Sequence, residues 1–290
     1  MGPKPDALKI PEACPICGGA GLCESLALSD LVTARCPGCG HVVALHASAG
    51  GGGADYHEQY DTGAYLDALR ETRRRQAPLV IGAIRRHVPA PTRLLDYGAG
   101  RGWFLEECRR QGIHPLAGAD TSSLAVAGLR RAGFEAHLLR GKDGPGGTLE
   151  RELSFRPRVV TLLDVVEHFP PESLTERLRA LLAECGEEID VVVVKVPIRG
   201  LLYRSARLLS VLGADGPLRQ LYQAGTWPPH FHCFSPRSME TLLDRLGLAL
   251  IERIGDPDFE AARLAERAGL PHPAARPFLH LAAVGLVGAV

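Results

Sequence analysis

Residue types able to do chemistry gather at three places along the 290-residue chain. Cys14-Pro-Ile-Cys17-Gly and Cys36-Pro-Gly-Cys39-Gly form two C-x-x-C knuckles with 18 residues between them. Proline and glycine let each knuckle turn tightly and aim both thiolates at one tetrahedral ion, the spacing of a four-cysteine zinc ribbon. A segment this small has too little core to fold alone, so the metal would supply its stability. A pair of disulfides or a redox motif is the alternative, disfavoured by a cytosolic setting and by the doubled Cys-Pro-x-Cys-Gly pattern. The second place is Arg93-Leu-Leu-Asp-Tyr-Gly-Ala-Gly-Arg-Gly-Trp-Phe-Leu105, where a strand-like run ends in Asp96 and glycines follow at 98, 100 and 102. Glycine turns sharply and admits a ligand where a Cβ would block it, and the helix start that follows offers unpaired N–H groups. The third is Asp164-Val-Val-Glu167-His168. One continuing helical turn would set these three side chains on one face. With His230 or His232 they make a carboxylate and imidazole set suited to a general base or a divalent ion. Alternatively Glu167 and His168 hydrogen-bond within the turn while His230 orients a lid.

The glycine run narrows the ligand. Its alternate spacing differs from the G-x-G-x-x-G of dinucleotide enzymes. Asp120, 20 residues after Gly100, ends a second apolar strand, where a carboxylate accepts both ribose hydroxyls. Asp96 puts a negative charge where a pyrophosphate would need room and donors. A cationic, phosphate-free nucleoside fits these features better than NAD does.

The elements that must hold these groups alternate as strand and helix. Strands are expected at 94–96, 115–120, 134–139, 159–163 and 190–196, with helices at 103–111, 122–132 and 173–184. The continuous valines of Asp190–Val196 suit a strand buried on both faces, and the alternation predicts an α/β fold with a doubly wound, mostly parallel sheet. A long helix is expected from Ala64 to His87, kinked or divided at Pro78. Leu66, Leu69, Leu79, Val80, Ala83 and Ile84 lie on its apolar face, and Arg70, Arg73, Arg74 and Arg75 on a solvated one. Residues 149–155 read as a short helix, 201–212 and 238–246 as helices, and 248–254 and 278–290 as strands of an antiparallel final hairpin. The expected organisation is a zinc ribbon at 1–46, a linker and helical segment at 47–91, and a nucleoside-binding domain at 92–290 with a lid insertion at 198–229. Cys23 reads as a spare thiol; Cys108, Cys185 and Cys233 read as buried apolar residues.

Composition restricts the partners. Lys+Arg and Asp+Glu both number 33, which gives no electrostatic case for nucleic acid. The start of the chain has no apolar signal region, and no apolar run approaches the roughly 20 residues of a membrane span. The expected location is the cytoplasm, with a small molecule as substrate and no membrane or nucleic-acid partner.

LLDYGAGRGWFL, the acid Asp120, VVTLLDVVEHFP and DVVVVKVP, in this order, resemble the class I S-adenosylmethionine (SAM)-dependent methyltransferases over roughly residues 92–290. The segment TWPPHFHCFSPRSMETLLDRLGL is similar to the H-x-x-x-FS-x-x-S-x-x-x-LL-x-x-x-GL tail of a subgroup that includes ubiquinone-pathway O-methyltransferases and natural-product enzymes. A cysteine ribbon before such a domain is similar to that of sugar and secondary-metabolite C-methyltransferases. The resemblance implies a Rossmann-like fold and SAM as cofactor. It implies that Asp96 to Gly100, with Tyr97, Gly98 and Ala99 between, contact the methionine moiety. It places Asp120 on the ribose, Thr121 beside the adenine with Asp143 a further candidate there, and Asp164 toward the sulfonium. E-x-x-E-H elements similar to DVVEH bind a metal in some small-RNA and quinone O-methyltransferases, which implies a second divalent ion beside the structural zinc. Glu167, His168, His230 and His232 are the catalytic candidates. Tyr56 and Tyr60 either reach over SAM or pack on each other; Trp227, Phe231 and Phe234 either line the substrate or pack the lid. An RNA or protein methyltransferase using the ribbon for recognition, and a non-catalytic scaffold, are the competing readings.

Overall fold

The computed structural model describes residues 8–47, 63–90, 92–140, 147–256 and 283–289. Strands β1 (Cys23–Ala27), β2 (Leu31–Arg35) and β3 (Val42–His46) form an antiparallel ribbon after the first cysteine knuckle. Helix α1 (Gly63–His87) leads into β4 (Leu94–Tyr97), α2 (Trp103–Arg110), β5 (Leu116–Asp120), α3 (Ser123–Arg131), β6 (Glu135–Arg140) and a short β7 (Thr148–Leu149). Then come β8 (Val159–Leu163), α4 (Leu174–Cys185), β9 (Val191–Lys195), α5 (Leu201–Val211), α6 (Gly216–Leu221), β10 (His232–Cys233), α7 (Pro236–Arg245), β11 (Ala249–Asp256) and β12 (Ala283–Ala289).

The large sheet runs β11-β12-β9-β8-β4-β5-β6-β7. β4 pairs in parallel with both β5 and β8, β5 with β6, and β8 with β9, while β12 is antiparallel to β9 and β11. The chain leaves β4 toward β5 on one side and returns as β8 on the other, so a crevice opens at the carboxyl ends of these strands. Every residue of β8 and β9 is buried, which their Val and Leu runs require in a sheet covered on both faces. One face packs α1, α2 and α3 through residues such as Ile81, Ile84, Phe104 and Leu129. The other packs α4 and α7 through Leu178, Leu181, Met239 and Leu242, and here Ile16 and the knuckle cysteines join the same core. β10 adds to the ribbon beside β3, giving a small sheet in the order β1-β2-β3-β10. Ala206, Leu218 and Tyr222 of the 198–229 insertion pack on Leu31, Val42 and Ala44 of that sheet.

The final antiparallel hairpin is present, and β12 enters between β9 and β11. Three expectations are corrected. Pro78 does not divide α1: the helix runs unbroken from Gly63 to His87 with Pro78 on its exposed side. Leu79 is 39% exposed and leaves the apolar face to Ala77, Val80, Ile81, Ala83 and Ile84. Residues 149–155 are not a helix, because Leu149 pairs with Leu139 at the sheet edge and the Ser154 N–H and hydroxyl are both taken by Glu135.

Candidate active site

The glycine turn sits where the strand order reverses. Gly98, Gly100 and Gly102 have φ of +79°, +53° and +78°, a region that L side chains avoid. A Cβ on Gly98 would lie 2.3 Å from Val165 Cγ2, and one on Gly102 would lie 2.4 Å from Leu129 Cδ2. The Gly98 and Ala99 N–H groups both donate to the Ala119 carbonyl, at 2.7 and 3.0 Å. Asp120 accepts from Gly100 N–H at 2.7 Å through one oxygen and from Ser122 N–H at 2.8 Å through the other. The acid at the end of β5 therefore fixes the shape of the turn after β4. Asp96 is 3% exposed and accepts from the Thr161 hydroxyl at 2.6 Å. Burial raises its pKa to about 6, against the opposing pull of Thr161 and Arg73. Tyr97 contributes backbone rather than side chain to the turn, since its hydroxyl exchanges hydrogen bonds of 2.8 Å with both N–H and C=O of Gly147. Thr121 is exposed beside Asp120.

Asp164 directly follows β8, with φ +58°. With this conformation followed by the 3-10 turn of Val166–His168, its carboxylate pairs with Lys195 and Arg73 and does not join the ligand atoms of Glu167 and His168. Lys195 Nζ donates to both Asp164 oxygens at 2.8 Å, and Arg73 Nη1 lies 2.6 Å from one of them. Burial opposes ionisation of Asp164, but the two cations outweigh it and hold the carboxyl well below the usual range. The solvated-face reading of the arginines thus fails at Arg73, whose side chain is 18% exposed; Arg70, Arg74 and Arg75 are on the open side.

Glu167, His168 and His230 converge, with one ligand atom from each lying within 4.8 Å of the others. His168 Nδ1 donates to Pro229 C=O at 3.0 Å and His230 Nδ1 to Leu221 C=O at 2.8 Å. A carbonyl only accepts, so both rings carry the proton on Nδ1 and keep a lone pair on Nε2. Burial lowers the pKa of His168, and burial together with neighbouring His168 lowers that of His230 to about 3. Glu167 is fully buried and neither carboxylate oxygen has a hydrogen-bond partner. Burial and then the charge of Asp164 push its pKa well up. An unpartnered buried carboxyl beside two neutral imidazoles is costly unless a proton or a cation completes it. The structure does not bring His232 into this group: its Nε2 donates to Phe169 C=O at 2.9 Å and its Nδ1 faces His41 Nε2 at 3.0 Å. Phe231 packs edge-on to His46, and Phe234 packs against His41 and His232.

The four knuckle sulfurs converge as well. Cys14 and Cys39 Sγ are 3.7 Å apart and Cys17 and Cys36 Sγ 3.5 Å. A tetrahedron with metal–sulfur bonds of about 2.3 Å has edges of about 3.8 Å, whereas a disulfide closes to about 2.05 Å. Each knuckle closes alike, with Gly18 N–H donating to Cys14 C=O and Gly40 N–H to Cys36 C=O, and both glycines at positive φ.

A family model described as a methyltransferase domain matches residues 66–253. The chain belongs to this family. It is a SAM-dependent methyltransferase. No curated protein matches its sequence. Among solved structures, the methyltransferase is similar to magnesium protoporphyrin IX methyltransferase of Synechocystis with bound SAH (12% identity, 79% of this chain and 87% of that one, TM-score 0.48). It is also similar to the 1,6-didemethyltoxoflavin-N1-methyltransferase of Burkholderia thailandensis (13%, 92% and 98%, TM-score 0.44) and to a SAM-dependent methyltransferase of Clostridium acetobutylicum (11%, 81% and 97%, TM-score 0.48).

Among the described residues, no helix of the methyltransferase is long and apolar enough to cross a membrane. Tyr56, Tyr60 and Asp143 lie outside the described residues. Four site residues escaped the sequence reading. Lys195 carried a signal, since a lone charge ending a buried valine strand needs a partner. Arg73 precedes Gln76 and Ala77 by one helical turn and so shares the inward face. Thr161 lies one strand over from Asp96, in register. His41 had no local signal.

Proposed function

We propose that the methyltransferase acts on a small-molecule acceptor at oxygen or carbon, in the subgroup that includes ubiquinone-pathway and natural-product enzymes. When bound, SAM supplies an electrophilic methyl on a sulfonium. The residues of the crevice fit it. Gly98 and Gly100 leave an open turn, Asp96 is a buried acid for the amino group, and Asp120 sits where ribose hydroxyls would add to its two backbone bonds. Tyr97 and Ala99 would contribute backbone, Thr121 would border the adenine, and Asp164 would face the sulfonium. Glu167, His168 and His230 would hold the acceptor and take its proton, either directly or by holding a divalent cation that acidifies a hydroxyl. His232 would support this group from behind. Holding nucleophile and methyl in line supplies much of the acceleration. Cys14, Cys17, Cys36 and Cys39 would hold structural Zn2+. In functional terms 1–46 is the ribbon, 47–91 linker and first helix, and 92–290 the SAM domain, closed by 198–229.

The observation that carries this reading is the convergence of Glu167 with two imidazoles that both present Nε2. It is tested by SAH release from SAM with a panel of phenols and enols, in Mg2+ and in EDTA. Turnover with a low-molecular-weight acceptor, lost in His168→Ala and His230→Ala, is expected. Methyl label entering only RNA or protein would overturn it.

A further inference from the structure

Beside the β3–β10 pairing, three hydrogen bonds run from the ribbon strand β3 and its leading turn to the segments that carry the Glu167–His168–His230 group, and two more join those segments to each other. Ala44 N–H donates to Phe231 C=O at 2.8 Å, and Phe231 N–H in turn donates to Glu167 C=O at 2.8 Å. His46 Nε2 donates to His230 C=O at 3.0 Å. On the other side, His232 Nε2 must donate to the Phe169 carbonyl, so its Nδ1 is an acceptor and His41 Nε2 is the donor to it. His41 follows the second knuckle by two residues, and its own carbonyl accepts from Cys36 N–H at 2.8 Å. His41 and His46 are buried, and each keeps its Nδ1 without a partner. Their polar groups would be costly to bury for packing alone. The backbone of residues 167, 169, 230 and 231 is thereby bonded, directly or through one residue, to the ribbon.

We propose that the cysteine ribbon is a brace for the catalytic group, with His41 and His46 as positioning residues that hold the 167–169 turn and the 230–232 strand in register. The inference rests on the catalytic reading of Glu167, His168 and His230. It gives the ribbon a role that needs no substrate contact. His46 fixes the backbone of His230, and His41 fixes the residue after His168 through His232. A displacement of about 1 Å at such a group costs on the order of a hundredfold in rate, and side chains held by supporting hydrogen bonds avoid it.

Ring spectra of isotope-labelled histidine test this without knowledge of the acceptor. In the unaltered protein His168 and His230 should appear as pure Nδ1–H tautomers; mixed tautomers there would overturn the catalytic reading itself. In His46→Leu or His41→Leu, His230 or His168 should pass to mixed tautomers, while SAH affinity by calorimetry stays within about twofold and the zinc content is unchanged. His46→Gln, which keeps a donor near the Nε2 position, should restore the His230 signal. Unchanged tautomers in both leucine variants would overturn the brace. So would a joint loss of tautomer, SAH binding and zinc that glutamine fails to rescue, since the histidines would then only hold the fold.

Discussion

Lys195 Nζ stands 2.8 Å from both carboxylate oxygens of Asp164, joining the ends of two adjacent parallel strands, and Arg73 closes on the same carboxylate from α1. Three elements of the fold thus meet at one charge in the crevice. Replacing Lys195 with Met leaves Asp164 with a single cation. The expected cost is roughly 2–4 kcal/mol of stability, read as a lower midpoint in urea. The sign of the pH effect follows from the depressed Asp164 pKa: the stabilisation is present above the ordinary value of 3.8 and is lost as pH falls toward the folded-state value below it. Lys195→Met should therefore flatten the acid limb of the stability curve below about pH 4; an unchanged limb would contradict the pairing.

Asp96 has the opposite sign. Its folded-state pKa is raised from 3.8 to about 6, so its contribution to stability is fully present below 3.8 and lost as pH rises through about 6. Its proposed task, meeting the amino group of SAM, needs the ionised form. SAH affinity should fall about tenfold per pH unit below pH 6, and Asp96→Asn should bind weakly with no such dependence. Calorimetry between pH 5 and 7.5 (a range of order two units about that pKa) decides the matter.

Gly98→Ala meets both a positive φ and Val165 Cγ2 at 2.3 Å. Strain alone costs about 1–2 kcal/mol, and the clash adds to it. SAH binding should be lost. Adding Val165→Ala should recover stability in part while leaving the strain, so the double variant should fall between the wild type and Gly98→Ala in thermal midpoint.

Metal analysis of the purified protein should find about one zinc per chain at the four cysteines. Cys36→Ser should lower that content and loosen the ribbon. Because Ile16, Cys14, Cys36 and Cys39 share a core with Phe169, Leu174 and Phe234, chelation should also lower the melting temperature of the whole domain. An unchanged melt with the metal removed would show that the knuckles do not need it.

The sequence exposes periodic features and hides those that depend on approach across the fold. The valines of β9 and the glycines at 98, 100 and 102 announce their geometry, because burial on two faces and tight turns restrict residue type locally. The C-x-x-C pairs do so for the same reason. Arg73 and Asp164 are 91 positions apart, and only the packing of α1 against the sheet makes them partners. The i, i+3, i+4 expectation for Asp164, Glu167 and His168 assumed an α-turn; a left-handed residue followed by a 3-10 turn splits the set. His232 looks in sequence like the twin of His230, but His230 lies before β10 and bonds Leu221 C=O, while the ring of His232 bonds Phe169 C=O and His41.

The placement of β12 bears on the order in which the molecule assembles. β9, the valine strand that ends in Lys195, has β8 on one side and β12 on the other, with Val191 to Val194 set opposite Ala289 to Leu286. A chain emerging from the ribosome holds that valine edge open until residues 283–289 arrive, and β11 waits beside it without a neighbour. Such long-range pairing is slow and leaves an edge able to recruit other strands. The strand that fills the slot between β9 and β11 thus comes from far along the chain, and it seals the sheet next to the lysine that holds Asp164.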